Sequence, residues 1–134
     1  ISAEFRKTIQ VKKPLKRFRK IIEDKEKDES IFEIFHDASW IGPGSIKILD
    51  NSMTLQSFVN QKFIIKNNNP LSASANYKHE HIMIKSKFNV RMVVSTNISC
   101  DQKYFYYDYF LQAFNNNKKN YTKKINKKIL RKSF

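Results

Sequence analysis

Apolar residues near the start of the chain recur at helical intervals. Leu15, Phe18, Ile21 and Ile22 are three or four positions apart, a spacing that places them on one side of a helix. We therefore predict an amphipathic helix over 14–29, with a charged and solvated second half.

Further along, apolar and polar residues alternate, which is the pattern of strands. The runs 58–66, 79–84 and 90–98 combine this alternation with many β-branched and aromatic residues. A weaker alternation over 45–49 indicates a short additional strand. The stretch 67–76 is rich in Asn, Ser and Pro, so we predict a loop there. These runs predict a small antiparallel sheet of about three strands.

Two later segments are ambiguous in pattern. An aromatic cluster fills 104–114, where a helix is slightly favoured. In the basic segment 122–132, apolar residues four positions apart indicate a helix that forms on contact with a partner. The expected fold is thus α+β, with an N-terminal helix, the small sheet, and a basic extended or helical C-terminal tail.

Charge is concentrated at the two ends of the chain. The 134 residues carry a net charge of +14, but 1–22 and 112–134 hold most of the basic residues, while 23–50 is acidic. We predict a basic arm over 1–13, one small domain over 14–111 with an acidic insertion near 23–50, and a basic tail over 112–134.

Composition limits the class of protein. There are two Gly and one Cys, which excludes a Gly-rich phosphate loop, an intrachain disulfide and a zinc site built from cysteines. The apolar runs are shorter than a membrane-spanning helix needs. Lys, Asn, Ile, Phe and Tyr dominate, whereas Arg, Ala and Gly are scarce, as expected for an A+T-rich genome such as that of an organelle or a protist. The chain begins at Ile1, and we expect residues that precede it.

Candidate catalytic and metal-binding groups are sparse. His79 and His81 share one side of a predicted strand, but a third ligand is missing nearby, so an ordinary structural pair is the favoured interpretation. Cys100 is better explained as a small buried thiol than as a nucleophile. The acidic residues form no catalytic pair. We therefore predict a protein that is not an enzyme and that needs no cofactor or metal.

Basic residues are the strongest functional signal. Lysines neutralise phosphates and release counterions, which favours binding to RNA, although a solvated or import-related run of charge remains an alternative. The aromatic cluster over 104–110 could stack on bases, although rings of a core or a protein contact are the favoured interpretation. The residues predicted from charge to contact RNA are Lys12, Lys13, Arg17, Arg19, Lys118, Lys119, Lys123, Lys124, Lys127, Lys128, Arg131 and Lys132.

One segment resembles a known family. Over 52–68, Ser52, Phe58, Val59 and Phe63 fall in step with a motif of the small-subunit ribosomal protein nineteen family. Weaker likenesses involve the lysine-rich start of the predicted helix and 83–89, while Trp40-Ile41-Gly42-Pro43 is either a remnant of the family or an unrelated turn. The resemblance implies a small α+β fold on ribosomal RNA, beside neighbouring ribosomal proteins. It also implies phosphate contacts by Lys62, Lys66, Lys85, Lys87 and Arg91.

Together these features predict a structural constituent of the small subunit of a mitochondrial ribosome. Its expected partners are ribosomal RNA and neighbouring ribosomal proteins, without a membrane or a small-molecule substrate. The alternatives are a lineage-specific or large-subunit mitochondrial ribosomal protein, a free nucleoid or mRNA-binding factor, and a scaffold subunit that docks through its acidic segment.

Overall fold

The computed structural model describes residues 9–13, 16–39, 42–43 and 45–132. All of its regular elements are strands. They are β1 (Ile9–Lys13), β2 (Arg17–Asp24), β3 (Glu29–His36), β4 (Ala38–Ser39), β5 (Gly42–Pro43), β6 (Ser45–Ile48), β7 (Met53–Lys66), β8 (Asn69–Lys85), β9 (Phe88–Cys100), β10 (Tyr104–Asn115) and β11 (Lys118–Leu130).

Nine of these strands form one antiparallel sheet. From β7 to β11 each strand pairs with the next along the chain, so the order is β7-β8-β9-β10-β11. On its other side, β7 pairs with two hairpins in succession. The first part of β7 pairs with β6, which pairs in turn with β1. The second part of β7 pairs with β3, which pairs in turn with β2. The edge strands are therefore β1 and β2 on one side of the sheet and β11 on the other.

Tight turns join the long strands without glycine. Asn68, Ser86, Asn116 and Asn117 lie in two-residue turns and have positive φ angles of 51–65°. Asn tolerates this left-handed region better than most residues with a Cβ atom. The Asn-rich segments that the composition explains by codon bias therefore also form the turns of the sheet.

The two faces of the sheet differ in character because successive side chains of a strand point to opposite sides. We call the face that carries Ile21, Phe32, Phe63 and Ile98 the apolar face. The opposite side, which carries Glu33, Lys62 and many Asn and Lys side chains along with some apolar ones, is the polar face.

The buried core is small for a chain of this length. Among the described residues, the buried hydrophobic side chains are Ile46 and Leu55, where β6 pairs with β7, and Val59, where β7 pairs with β3. All three lie on the apolar face. Most other apolar side chains remain partly exposed, because within the described part of the chain no second layer covers the sheet. The structure thus holds together mainly through its strand pairing and a thin apolar layer.

The predicted α+β fold is wrong, since the protein is all-β. The helix expected over 14–29 is the hairpin of β2 and β3 from residue 17 onward, and Pro14 and Leu15 lie outside the described residues. Ile21 and Ile22 matched a helical spacing, but in β2 they point to opposite faces. The chain also departs from the α+β fold that the ribosomal resemblance implies.

The later segments were also misassigned. The aromatic cluster is β10, and the expected C-terminal tail is largely the edge strand β11, paired with β10 along its length. The loop predicted over 67–76 is a two-residue turn followed by the start of β8. Phe and Tyr side chains are stiff and bulky, and they fit a pleated sheet as readily as a helix. The strands predicted over 58–66, 79–84 and 90–98 lie within β7, β8 and β9.

Candidate functional site

The polar face of the β9–β11 strands brings aromatic rings and basic groups together. The Lys128 Nζ lies 3.9 Å from the centroid of the Tyr104 ring, and the Lys124 Nζ lies 5.2 Å from that of Phe110. In the neighbouring row, the Arg91 guanidinium carbon is 4.4 Å from the Phe114 centroid. These distances are typical of cation–π contacts. We call Tyr104, Phe110, Phe114, Lys124 and Lys128 the aromatic–basic surface.

Alternation along the two strands creates this surface. Even-numbered residues of β10, and of β11 from Thr122 onward, point to the polar face, because Phe110 pairs with Lys124 and Tyr106 pairs with Lys128. The rings are half-buried and the two lysines are exposed. Within the described part of the chain, neither lysine has a carboxylate oxygen within 4.0 Å. Neither charge is therefore neutralised by a salt bridge, although the charge of Lys128 also helps to lower the pKa of Asp101.

A shallow depression of about 490 Å³ lies at one end of this surface. Tyr104, Tyr106, Lys103 and Lys128 are among its lining residues. Its size falls in the range of small-ligand sites, and its lining places two tyrosine rings and two lysines beside Asp101.

Asp101 organises the turn beside this depression. Its carboxylate accepts hydrogen bonds from the Tyr106 hydroxyl and from the backbone N–H groups of Tyr104 and Lys103. These bonds, that of Tyr106 first, lower the pKa of Asp101, and the same contact raises the pKa of Tyr106. Asp101 is therefore occupied in holding the turn, and Tyr106 stays protonated near neutral pH.

The structure distributes the predicted RNA-binding residues over both faces. The register places Lys62, Lys66, Arg91, Lys119, Lys124 and Lys128 on the polar face. It places Arg17, Arg19, Lys85, Lys118, Lys123 and Lys127 on the apolar face, at its edges or hairpin ends. Lys87 lies in a turn, and Arg131 and Lys132 follow β11. The backbone of Lys12 and Lys13 belongs to β1, and their side chains lie outside the described residues.

Two of these cations have acidic partners. Lys62 lies 3.5 Å from a carboxylate oxygen of Glu33, whose other oxygen is 3.3 Å from Lys20. The Arg91 guanidinium lies 3.2 Å from Glu80. Burial raises the pKa of Glu33, but hydrogen bonds from Asn60 and Lys20 and the charge of Lys62 outweigh it and leave the pKa lowered. Lys62 is thus part of a structural ion network.

The histidines form a cluster on the apolar face. The His79 and His81 rings are 3.9 Å apart. His79 Nε2 lies 2.8 Å from the Ser57 hydroxyl, and its Nδ1 lies 3.1 Å from the Tyr77 hydroxyl. Burial lowers the pKa of His79, and the nearby His81 and His36 lower it further. Among the described residues, no three His, Cys, Asp or Glu side chains are placed to hold a metal ion.

Sequence reasoning missed a groove on the apolar face. It has a volume of about 530 Å³ and extends from β2 to β10. Ala75 lies between Phe63 and Ile98 in a cross-strand row, so a short side chain forms the floor between two bulky walls. The sequence signal for this groove was the run of small residues over 72–75, which lies in the segment that we predicted to be a loop.

Comparisons with known proteins leave the family of the chain open. No protein-family model, curated protein or solved structure matches it. In the described part of the chain, no helix is long and apolar enough to cross a membrane.

Proposed function

We propose that this chain is an RNA-binding protein that contacts single-stranded RNA through the aromatic–basic surface. The observation that carries the proposal is the alternation of half-buried rings with unneutralised lysines on one face of β10 and β11. Sheet platforms that bind single-stranded RNA use this combination, because rings stack on bases while cations contact phosphates.

The lysines of β11 also have a simpler explanation. Charged residues on an edge strand prevent its free backbone groups from pairing with another sheet. This role needs charge of either sign, whereas contact with phosphate needs positive charge. Reversing the charge therefore separates the two explanations.

The experiment compares two double variants on the same strand. The first, Lys124→Glu/Lys128→Glu, alters the polar face. The second, Lys123→Glu/Lys127→Glu, makes the same change in net charge on the apolar face. Binding of a fluorescent 20-nucleotide poly(U) RNA is measured by anisotropy over a range of salt concentrations.

We expect the polar-face variant to weaken binding at least about tenfold and to reduce the salt slope by about 2, one unit for each lost phosphate contact. Removal of two positive charges should weaken long-range attraction in both variants, so the control should lose less affinity. Equal losses in both variants would reject the proposed surface.

The setting we propose is a mitochondrial ribosome, with ribosomal RNA and neighbouring ribosomal proteins as partners. The amino-acid composition, which is typical of an A+T-rich genome, and the net charge of +14 support this setting. The polar face supports the RNA contact. Centrifugation of organelle lysates through a sucrose gradient tests this setting. The chain should sediment with ribosomal subunits, and should move to the top of the gradient after ribonuclease treatment. Sedimentation unchanged by ribonuclease would contradict it.

A further inference from the structure

We infer that the apolar face docks another protein, whose contact surface is apolar in its centre and acidic at both margins. This interaction is separate from the proposed RNA contact, because it uses the opposite face of the sheet.

Among the described residues, the part of the apolar face outside Ile46, Leu55 and Val59 is largely uncovered. The chain exposes 9716 Å², whereas a compact folded protein of 16.0 kDa exposes about 7,400 Å². The difference, roughly 2,300 Å², is spread over both faces of the single-layer sheet, and about a third of it equals the ~800 Å² that each partner buries in a standard interface. A small molecule in the groove would cover only one part of the face.

Large apolar side chains are exposed across the apolar face, from the β2 edge to the β11 edge. Phe63 and Ile98, which line the groove, are 45% and 44% exposed. Ile21 at the β2 edge and Ile129 at the β11 edge are 73% and 51% exposed. An antiparallel sheet with one apolar face is stable when a second layer packs on that face.

Charge at the margins defines the chemistry of the partner. Arg17 and Arg19 lie at the β2 edge of the apolar face, and Lys123 and Lys127 lie at the β11 edge. The acidic Glu23 also lies at the β2 edge, where its carboxylate accepts a hydrogen bond from Ser30. Arg131 follows β11, and its guanidinium carbon is 5.1 Å from the centroid of Phe105, which lines the groove. These cations favour a partner with carboxylates at both margins.

The same charges disfavour a second copy of this chain. In a face-to-face pair with twofold symmetry, the β2 edge lies over β11 of the other copy, or each edge lies over itself. Either arrangement places basic margins against basic margins, which repel each other. The partner is therefore a different protein surface.

The width of the sheet sets the spacing of the acidic margins. Five strands, β3, β7, β8, β9 and β10, lie between the β2 and β11 edges, so six strand spacings separate these edges. Because neighbouring strands are about 4.8 Å apart, the cations are separated by about 29 Å along the sheet. A helix of about 20 residues spans this distance.

The test uses synthetic probes of that length. Two fluorescent 24-residue amphipathic helical peptides share a Leu- and Phe-rich centre. One has three Glu at each end and the other has three Lys. We expect the Glu-ended peptide to bind the full chain at least about tenfold more tightly, with the preference decreasing at high salt. Equal binding of the two peptides, or no binding, would overturn the inference.

Neighbouring residues on opposite faces provide matched controls. Ile129→Ser on the apolar face should weaken the Glu-ended peptide several-fold, whereas Leu130→Ser on the polar face should not. Lys123→Glu/Lys127→Glu should remove the preference for Glu, and Lys124→Glu/Lys128→Glu should retain it while losing RNA binding. Equal effects of the two Ser variants would contradict the inference.

Two further measurements address other occupants of the face. Light scattering after gel filtration should show a monomer, and a dimer disrupted by Ile129→Ser would replace the inference with self-association. Vesicles of phosphatidylcholine and phosphatidylglycerol should bind more weakly than the Glu-ended peptide. Tighter vesicle binding that Ile129→Ser abolishes would identify a lipid surface as the occupant and overturn the inference.

Discussion

At the scale of single residues, the environment of each titratable side chain determines its role. Glu33 is 8% exposed, yet its carboxylate stays ionised because Asn60, Lys20 and Lys62 surround it on the polar face. The His79 ring lies on the opposite face, where burial favours its neutral form. The sequence correctly predicted that His79 and His81 are neighbours on one face. It could not predict the hydroxyl partner of His79 on β7, Ser57, because that contact depends on strand register.

His79 should make the stability of the protein depend on pH. Its folded pKa is lowered from 6.5, so the unfolded chain binds a proton more readily than the folded chain. The stabilising effect is complete above pH 6.5 and is lost as pH falls through the lowered folded pKa.

We expect His79→Gln to reduce the loss of unfolding free energy between pH 8 and pH 5. Denaturant titrations of both proteins at several pH values measure that loss. Identical pH dependence in the variant and the wild-type chain would show that His79 does not contribute.

At the scale of elements, strand composition, apolar spacing and turn residues explain which parts of the fold the sequence predicted. The strands over 58–66 and 90–98 were predictable from β-branched residues. The β2–β3 hairpin was not predictable, because Phe18, Ile21 and Ile22 satisfy a helical spacing. The strand pairing that overrides this spacing depends on the residues of β3, which the local pattern of β2 does not show. The Asn116-Asn117 turn was recognisable in principle, since Asn-Gly is the usual two-residue hairpin signal and Asn can occupy both positions.

The Asn117 turn offers a direct test of this explanation. Asn117 has a φ of 65°, a region that glycine adopts without steric cost. Asn117→Gly should therefore raise the free energy of unfolding by about 0.5 kcal/mol, and Asn117→Val should lower it by about 1 kcal/mol. Denaturant titration measures both.

A matched control lies in the same hairpin. Asn126 is an exposed residue of β11 that pairs with Asp108 of β10, so Asn126→Gly should destabilise the protein, since glycine weakens a strand interior. Stabilisation by both glycine substitutions would contradict the assigned turn.

At the scale of the whole molecule, one sheet presents two surfaces of different chemistry. Adjacent residues of β11 illustrate this arrangement, because Lys123 and Lys127 face the apolar side while Lys124 and Lys128 face the polar side. The net charge predicted an RNA partner for the basic segment as a whole. It could not predict the division between faces, which follows from the pairing of β11 with β10.

Crosslinking can locate RNA on the polar face of β10 and β11. The method is photocrosslinking of an oligonucleotide containing 4-thiouridine, followed by mass spectrometry of the crosslinked peptides. We expect crosslinks to Tyr104, Phe110 and Phe114 on the polar face. Crosslinks confined to Tyr107 and Tyr109, which lie on the same strand but face the apolar side, or the absence of crosslinks, would contradict this expectation.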